Sequence, residues 1–596
     1  MAHWSEDSKR LQQSAVSINK FSLLDNIPSE KPSVYLFWLP FPRVTTSGTN
    51  SKEVFSTLSK YCSQLNEDSV VCVFTTPSQA AEMLPYLEKS LKFQLWVAVK
   101  TTPNAYSNIM GLMPHRQASL LILTRYKKPL FHTKTRIQYT YCPACGKTTK
   151  DYGGKKHTYH EYGTLLSDVW RDIACNPTSD ISMVTERLCD LFGLRPYQNF
   201  YLIDLRNCED ITSQETSSSL LTDPVIDEIK ANPSLDSELL NEDCLKALAS
   251  IPDNSIDFCF ADPPYNLKKK YDKWDDALES VKYFAWCDKW LSELCRVLKP
   301  GRTLAVLNIP LWAARHYQYL VSIMNFQTWI AWESLSFPVR MIMPSHYAIL
   351  CFSKGSSRSL PGLSSSINDV TEETYVKPIQ EFYCIRASCI ASRQRLGNDR
   401  ANITDIWHDI HRLKHNSRRV DHPCQLPPLL MQRLFALFTH PGEMILDCFN
   451  GSGTSTLVAQ QMNRSYIGIE LSEQYHHIAL QRHEQIGLGG NPFGKADSIP
   501  TAKNSSVQRL PKQKYEVPKK ELQLDVKRIA HELGRLPNRK EVQARSKFPI
   551  EYFDRYFISW GEVCAAARTT GMTELPKDRR PDADQLELLF DAAKQS

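Results

Sequence analysis

Short unbroken apolar runs alternate with turns rich in Gly, Pro and Asn through the middle of this chain. "NSIDFCF", ending at Phe260, is dense in β-branched and aromatic residues and predicts a short buried strand. "MILDCF" from Met444 predicts a second strand, "TSTLVAQQMN" from Thr454 the start of a helix, and "RSYIGIEL" a third strand with Glu470 at its end. Residues 486–520 lose this pattern, are rich in Gly, Pro, Ser and Lys, and read as a linker. Beyond them, residues 521–596 carry apolar positions at helical spacing and predict three short amphipathic helices.

The turns that follow two of these strands carry chemistry. In "FADPPYN" the prolines lack an N–H, so they end the ladder, and each biases the residue before it toward an extended backbone. Asp262 and Tyr265 would then stand on a rigid turn at the carboxyl end of a strand, where open α/β sheets bind ligands. In "NGSGTS", Gly451 and Gly453 allow a sharp turn and close approach to a ligand, and the helix that follows offers N–H groups to a carboxylate. Glu470, close to 20 residues on, sits where an acid grips ribose hydroxyls. Together these describe a nucleoside-binding half of a doubly wound sheet, against the plainer reading of a structural βα turn.

Length and composition set the frame. A chain of 596 residues implies three or four domains. It is 42% hydrophobic and 23% charged, as soluble globular proteins are. With no long apolar run and no signal-peptide pattern, the expectation is a soluble, intracellular protein with no membrane partner. Its 17 cysteines are then expected to be reduced. A net charge of +6 admits nucleic acid as a partner without requiring it.

"DPPYN" together with "DCFNGSGT" resembles the S-adenosylmethionine-dependent DNA amino-methyltransferases. The order, catalytic motif before cofactor motif, resembles their circularly permuted β group, over roughly residues 238–485. The resemblance implies an α/β fold: a Rossmann-like seven-stranded sheet in a catalytic domain at 226–485. It implies Asp262, Pro263, Pro264 and Tyr265 as catalytic residues. For S-adenosylmethionine it implies Asp243, Cys244, His422, Gln425, Asp447, Phe449, Gly451, Gly453, Thr454 and Glu470, with Asp243 toward the adenine. Leu426 stands where relatives usually carry a lysine. Pro423-Cys424-Gln425 mimics the nucleophile motif of cytosine-C5 enzymes, but it lies upstream of the glycine turn, so a nucleophilic Cys424 is rejected.

The implied reaction is methylation of a flipped-out base in double-stranded DNA, with Tyr265 stacking on the base. Asp262 and the Pro263 carbonyl would hold the exocyclic amine. A motif that begins with Asp implies N6 of adenine; N4 of cytosine is the alternative, and a non-catalytic S-adenosylmethionine- and DNA-binding scaffold a second. Expected partners are restriction or phage-defence proteins in a bacterial cytoplasm, unless the enzyme acts as an orphan.

Residues 1–225 hold neither motif but echo the catalytic half. The pairs Phe37/Phe260, Met113/Met343, Asp168/Asp405 and Asp204/Asp447 recur at a slowly drifting offset, as a duplication with small insertions would give. Leu39-Pro40-Phe41-Pro42 and Arg206-Asn207-Cys208 replace the two chemical turns. This predicts a degenerate methyltransferase-like domain that serves as an internal partner, making the monomer a pseudo-dimer. Within it, at about 141–175, Cys142 and Cys145 have zinc-knuckle spacing, with His157, His160 and Cys175 as further candidate ligands for structural zinc; a metal-free turn is the alternative.

The basic segment at about 356–421 lies where relatives carry target-recognition elements. Its arginines, Arg395, Arg412, Arg418 and Arg419 among them, are candidates for phosphate or guanine contacts. The C-terminal helices resemble a small repeat attached to homing endonucleases. That implies a small all-α DNA-binding module with Arg539 and Lys540 among the residues facing phosphate, or else a protein-docking module.

Overall fold

Ser33–Trp38 and Ile256–Ala261 bury every residue they contain, as strands covered on both faces must. In the computed structural model each lies near the middle of its own sheet. The structure describes chiefly residues 12–41, 51–148, 163–208, 236–266, 278–334, 345–363, 379–380, 386–411, 425–493 and 517–563. The longest stretches outside are 1–11, 42–50, 149–162, 209–235, 267–277, 335–344, 364–378, 412–424, 494–516 and everything after 563. The chain divides into two units, one essentially residues 1–504 and the other 505–591.

The first sheet comprises β1 (Gln12–Ser17), β2 (Ser33–Trp38), β3 (Val70–Thr75), β4 (Lys92–Thr101), β5 (Gln117–Thr124), β6 (Val169–Cys175) and β7 (Asn199–Asp204). Their order is β1-β7-β2-β3-β5-β4-β6, with only β5 antiparallel to its neighbours. The second comprises β8 (Glu238–Leu240), β9 (Ile256–Ala261), β10 (Leu298–Asn308), β11 (Asn325–Glu333), β12 (His346–Ser353), β13 (Ile406–Trp407), β14 (Met444–Asp447) and β15 (Ser465–Ile469). Their order is β8-β15-β14-β9-β10-β12-β11-β13, with β12 antiparallel.

The second sheet thus has eight strands, a correction to the expected seven. The extra edge strand, β13, comes from the segment assigned to target recognition. It is too short to announce itself by alternation, and pairing with Ala331 and Trp332 defines it. Without β15, the two sheets agree strand for strand in order and orientation. In the first sheet β1 pairs directly with β7, so no strand stands where β15 would run.

Helices α1 (Ser51–Cys62), α2 (Pro77–Leu87) and α3 (Ser182–Phe192) belong to the first half. Helices α4 (Cys244–Ser250), α5 (Ser280–Val297), α6 (Pro310–Leu320), α7 (Ala387–Arg395), α8 (Pro428–Phe438), α9 (Thr454–Gln461) and α10 (Glu473–Gly487) belong to the second. Among the described residues no helix is long and apolar enough to cross a membrane. The 505–591 unit holds α11 (Lys519–Leu533), α12 (Arg539–Arg545) and α13 (Ile550–Tyr556) around Leu522, Val526, Ile529, Val542 and Phe553. A reciprocal Asn538–Glu541 capping box starts α12.

The two sheets meet through equivalent elements. Trp96 on β4 and Trp329 on β11 stack with ring centroids 4.5 Å apart and planes 8° apart. Ala98, Val169, Ala331 and Ile406 form a buried cluster beside them. Asp168 accepts from the Ser345 N–H at 2.8 Å and its hydroxyl at 2.7 Å, with His346 Nδ1 at 2.9 Å. Asp405 in turn accepts from the Arg116 N–H at 2.8 Å, with His115 Nδ1 at 3.3 Å. Helices α2 and α6 also face each other, where Tyr317 donates to Glu82 at 2.8 Å and Arg315 pairs with Glu88. Like offering like to like is the geometry of an isologous interface.

Removing either tryptophan leaves a cavity at this junction. Trp96→Ala and Trp329→Ala should each cost about 3–5 kcal/mol, measured by urea unfolding. Because the two rings stack on each other, the double variant should cost clearly less than the sum of the two.

Candidate functional site

Strand β9 ends at Ala261 and delivers Asp262 to Asn266 to the carboxyl edge of the second sheet. The turn is clamped from several sides. Tyr283 donates to the Pro264 carbonyl at 2.8 Å, and Trp312 Nε1 to the Tyr265 carbonyl at 2.9 Å. Asn266 adopts φ +56°, a left-handed backbone that Asn tolerates. Its side chain exchanges hydrogen bonds with the Leu278 backbone at 2.7 and 2.8 Å. The Tyr265 hydroxyl donates to Asp262 Oδ1 at 2.7 Å. Tyr265 is only 8% exposed, with the Tyr347 ring 6.1 Å away.

Next to this turn, β14 ends at Asp447 and leads into α9. The Gly451 N–H donates to Glu470 Oε2 at 2.8 Å, and the Ser472 N–H to Glu470 Oε1 at 2.7 Å. The acid at the end of β15 therefore ties the glycine turn to the start of α10. Gly453 has φ +85° and would place a Cβ 2.9 Å from the Ala479 Cβ. It is needed for the left-handed turn and for seating α10, and it sits between Ser452 and Thr454, which both line the cleft. Buried polar groups support the turn from behind. Thr456 donates to Asn450 Oδ1 at 3.0 Å, His483 Nε2 lies 2.9 Å from Thr456 Oγ1, and Arg482 donates to the Ser452 carbonyl at 2.5 Å. Burial lowers the His483 pKa to about 4.

Both turns open into one cleft, which with its mouth holds about 1110 Å³ of empty space. Asp262, Pro263, Pro264, Tyr265, Asp243, Cys244, Gln425, Asp447, Phe449, Gly451, Thr454 and Glu470 all line it. Asp243 also caps α4, accepting from the Leu245 and Lys246 N–H groups at 3.0 and 3.3 Å. Burial pushes the Cys244 thiol up to about 12. His422 and Cys424 lie outside the described residues. Glu242, Trp286, Leu426, Ser455, Ser472 and Tyr475 line the cleft too. Trp286 was legible: with Trp290 it makes an i, i+4 aromatic pair on α5, and both rings meet Phe449, at 5.8 and 5.2 Å.

Five carboxylates face the cleft, from Glu242, Asp243, Asp262, Asp447 and Glu470, and no Lys, Arg or His is among the described lining residues. Asp447 is the most deeply placed of the five. It accepts from the Phe449 N–H at 2.9 Å and from the Ser455 hydroxyl. Burial nevertheless raises its pKa from 3.8 to about 7, with a small addition from the Asp262 charge.

The other predicted sites fall elsewhere. Cys142 and Cys145 are grouped with Cys389 of α7, whereas Cys175 is buried apart, its thiol 3.8 Å from the Lys100 carbonyl. That corrects Cys175 as a ligand, while His157 and His160 lie outside the described residues. Desolvation is the largest single influence on the Cys145 thiol and raises it. The thiol is lowered to about 7 overall by the Lys147 N–H and by hydrogen bonds with Cys142, Arg386 and Cys389. Arg395 is exposed at the end of α7, and Arg412, Arg418 and Arg419 are not described. Lys540 is exposed, but Arg539 already pairs with Asp554, so phosphate would have to displace a carboxylate there.

The sign of the Asp447 shift gives a test. Between about pH 4 and pH 7 the unfolded chain has released this proton and the folded chain still holds it, so this residue's share of stability falls as pH rises through that window. The change should be of the order of a few kcal/mol. Asp447→Asn cannot titrate, so the stability difference between wild type and variant, from urea midpoints at pH 5 to 8, should shift against the wild type as pH rises and level off above about 7.

A family model described as DNA methylase of the N6/N4 type matches residues 256–481. The Type II methyltransferase M.BamHI of Bacillus amyloliquefaciens is 29% identical over 281 residues, 46% of this chain, which spans 64% of that protein's length. M.HpaI of Haemophilus parainfluenzae, also a Type II methyltransferase, is 31% identical over 258 residues, 42% of this chain and 74% of that protein. Among solved structures, the cytosine-N4-specific PvuII DNA methyltransferase is 18% identical, with 46% of this chain and 96% of that one covered and a TM-score of 0.31. With such kinship over most of M.HpaI, and with the aspartate–proline turn and the glycine turn opening into one cleft, the chain belongs to the N6/N4 DNA methylase family.

Proposed function

We propose that this chain transfers a methyl group from S-adenosylmethionine to N6 of an adenine flipped out of duplex DNA. The observation that carries the reading is the charge of the cleft: the carboxylates of Glu242, Asp243, Asp262 and Glu470, beside the buried and more readily protonated Asp447, with no cation among the described lining residues. Such a lining repels a phosphate-bearing cofactor and suits a cationic one. The residues fit S-adenosylmethionine, with Glu470, Asp243 and the N-terminal turn of α9 as its holders. When bound, it supplies an electrophilic methyl on a sulfonium.

The chain's own residues do the rest. An exocyclic amine is a poor nucleophile because its lone pair is delocalised into the base. Asp262 and the Pro263 carbonyl accept its two hydrogens and so localise that lone pair. Tyr265 fixes the orientation of the Asp262 carboxylate, and the Tyr283 and Trp312 bonds hold the turn still. Asp262 is also the acceptor placed for the proton that the amine gives up. The carboxylate at position 262, rather than a hydroxyl, favours adenine.

We further infer that the first half is a degenerate methyltransferase domain standing in for a second subunit. What supports this is the shared strand order and the like-to-like junction. In that half the Arg206 guanidinium lies 3.5 Å from the centre of the Trp38 ring and pairs with Asp204 at 2.7 Å, where the second half has its glycine turn. On this reading the exposed Arg395 and the C-terminal helices contact DNA, and the chain works beside restriction or defence proteins or alone.

Nucleoside mass spectrometry of DNA incubated with protein and S-adenosylmethionine tests the reaction. N6-methyladenine is expected, and Asp262→Ala should lower its rate by about 100-fold or more. N4-methylcytosine would keep the mechanism and overturn the base; no methylated base on diverse duplexes would favour the scaffold. Light scattering tests the architecture: the purified chain should run as one species near 68.3 kDa, and a dimer would argue against an internal partner.

A further inference from the structure

Three thiols from opposite halves of the chain meet at one point outside the cleft. Cys142 and Cys145 come from a hairpin of two two-residue strands, Tyr141–Cys142 and Lys147–Thr148. Gly146 turns it with φ +65°, and its N–H donates to the Cys142 carbonyl at 2.9 Å. Cys389 lies in the first turn of α7, far along the chain. The three sulfur atoms lie within 4.8 Å of one another, with Cys142 and Cys389 buried. We propose that Cys142, Cys145 and Cys389 bind a structural zinc ion that fastens the first half's hairpin to the helix carrying Arg393 and Arg395.

The geometry suits zinc better than the alternatives. A tetrahedral ion with Zn–S bonds of about 2.3 Å spaces its sulfurs by roughly 3.8 Å, inside the observed span. A disulfide would join two of these thiols and strand the third. Local packing offers little else, since the hydrophobic cluster here consists of the cysteines themselves. Strands of two residues cannot hold a hairpin by their ladder alone, and a short chain segment without a core is where structural metals occur. Residues 379–380 pair with 400–401, so α7 rides on an excursion closed at its base, and the thiol cluster would pin its far end.

The test uses the full chain, purified untagged and without chelator, with zinc read by elemental mass spectrometry. About one zinc per chain is expected. Cys142→Ser, Cys145→Ser and Cys389→Ser should each lose most of it, while Cys175→Ser keeps it. Cobalt(II) exchanged into the wild type should show thiolate charge-transfer and tetrahedral absorption bands, and Cys389→Ser should weaken them. Circular dichroism identifies variants that fail to fold, and for those the cobalt spectrum of the wild type with and without selective thiol alkylation decides. A folded wild type without zinc, a mass two hydrogens lower that marks a disulfide, or full zinc retention in Cys389→Ser would each overturn the proposal.

Discussion

The stack of Trp96 on Trp329 is the contact on which the first 504 residues depend. Both rings are almost fully buried, at 2% and 1% exposure, on strands next to the edge of each sheet. Joined, they bring β4 and β11 face to face, and the aspartates at 168 and 405 then reach the backbone N–H groups of the opposite half. A buried carboxylate is tolerated only with such donors, so the junction is specific as well as apolar. It also covers the β11–β13 side of the second sheet, leaving the carboxyl ends of β9 and β14 to form the cleft.

That cleft separates rigidity from chemistry. The aspartate–proline turn owes its shape to groups that do not face the ligand, among them Tyr283, Trp312 and Asn266. The glycine turn is held by Glu470 from the front and by the Thr456–His483 pair from behind. What remains exposed is a set of acceptors on a fixed frame, which is how a site stabilises charge without reorganising.

Much of this could be read from the sequence wherever a local constraint produced it. Two prolines ending an apolar run, or glycines between a strand and a helix, leave marks that few other structures would. Asp168 and Asp405 were visible as a repeated pair, but their role was not, because each finds its partners across the junction. Gly453 was legible as a turn glycine, but only the approach of Ala479 shows that it also makes room for a helix. Ile406 and Trp407 form a strand through pairing with β11, which no local pattern encodes. Cys389 could not be joined to Cys142 and Cys145 by spacing, since nothing in a linear chain records which distant thiols converge.

The absence from the first sheet of a strand matching β15 bears on reversibility. Substitutions could in principle return a carboxylate to the Pro40 turn or glycines to the Arg206 turn. None can open a gap between β1 and β7, which pair directly along their whole length. The acid that ties the turn in the second half has no strand to stand on in the first. Point substitutions alone therefore cannot rebuild in the first half the strand-borne acid that ties the glycine turn in the second.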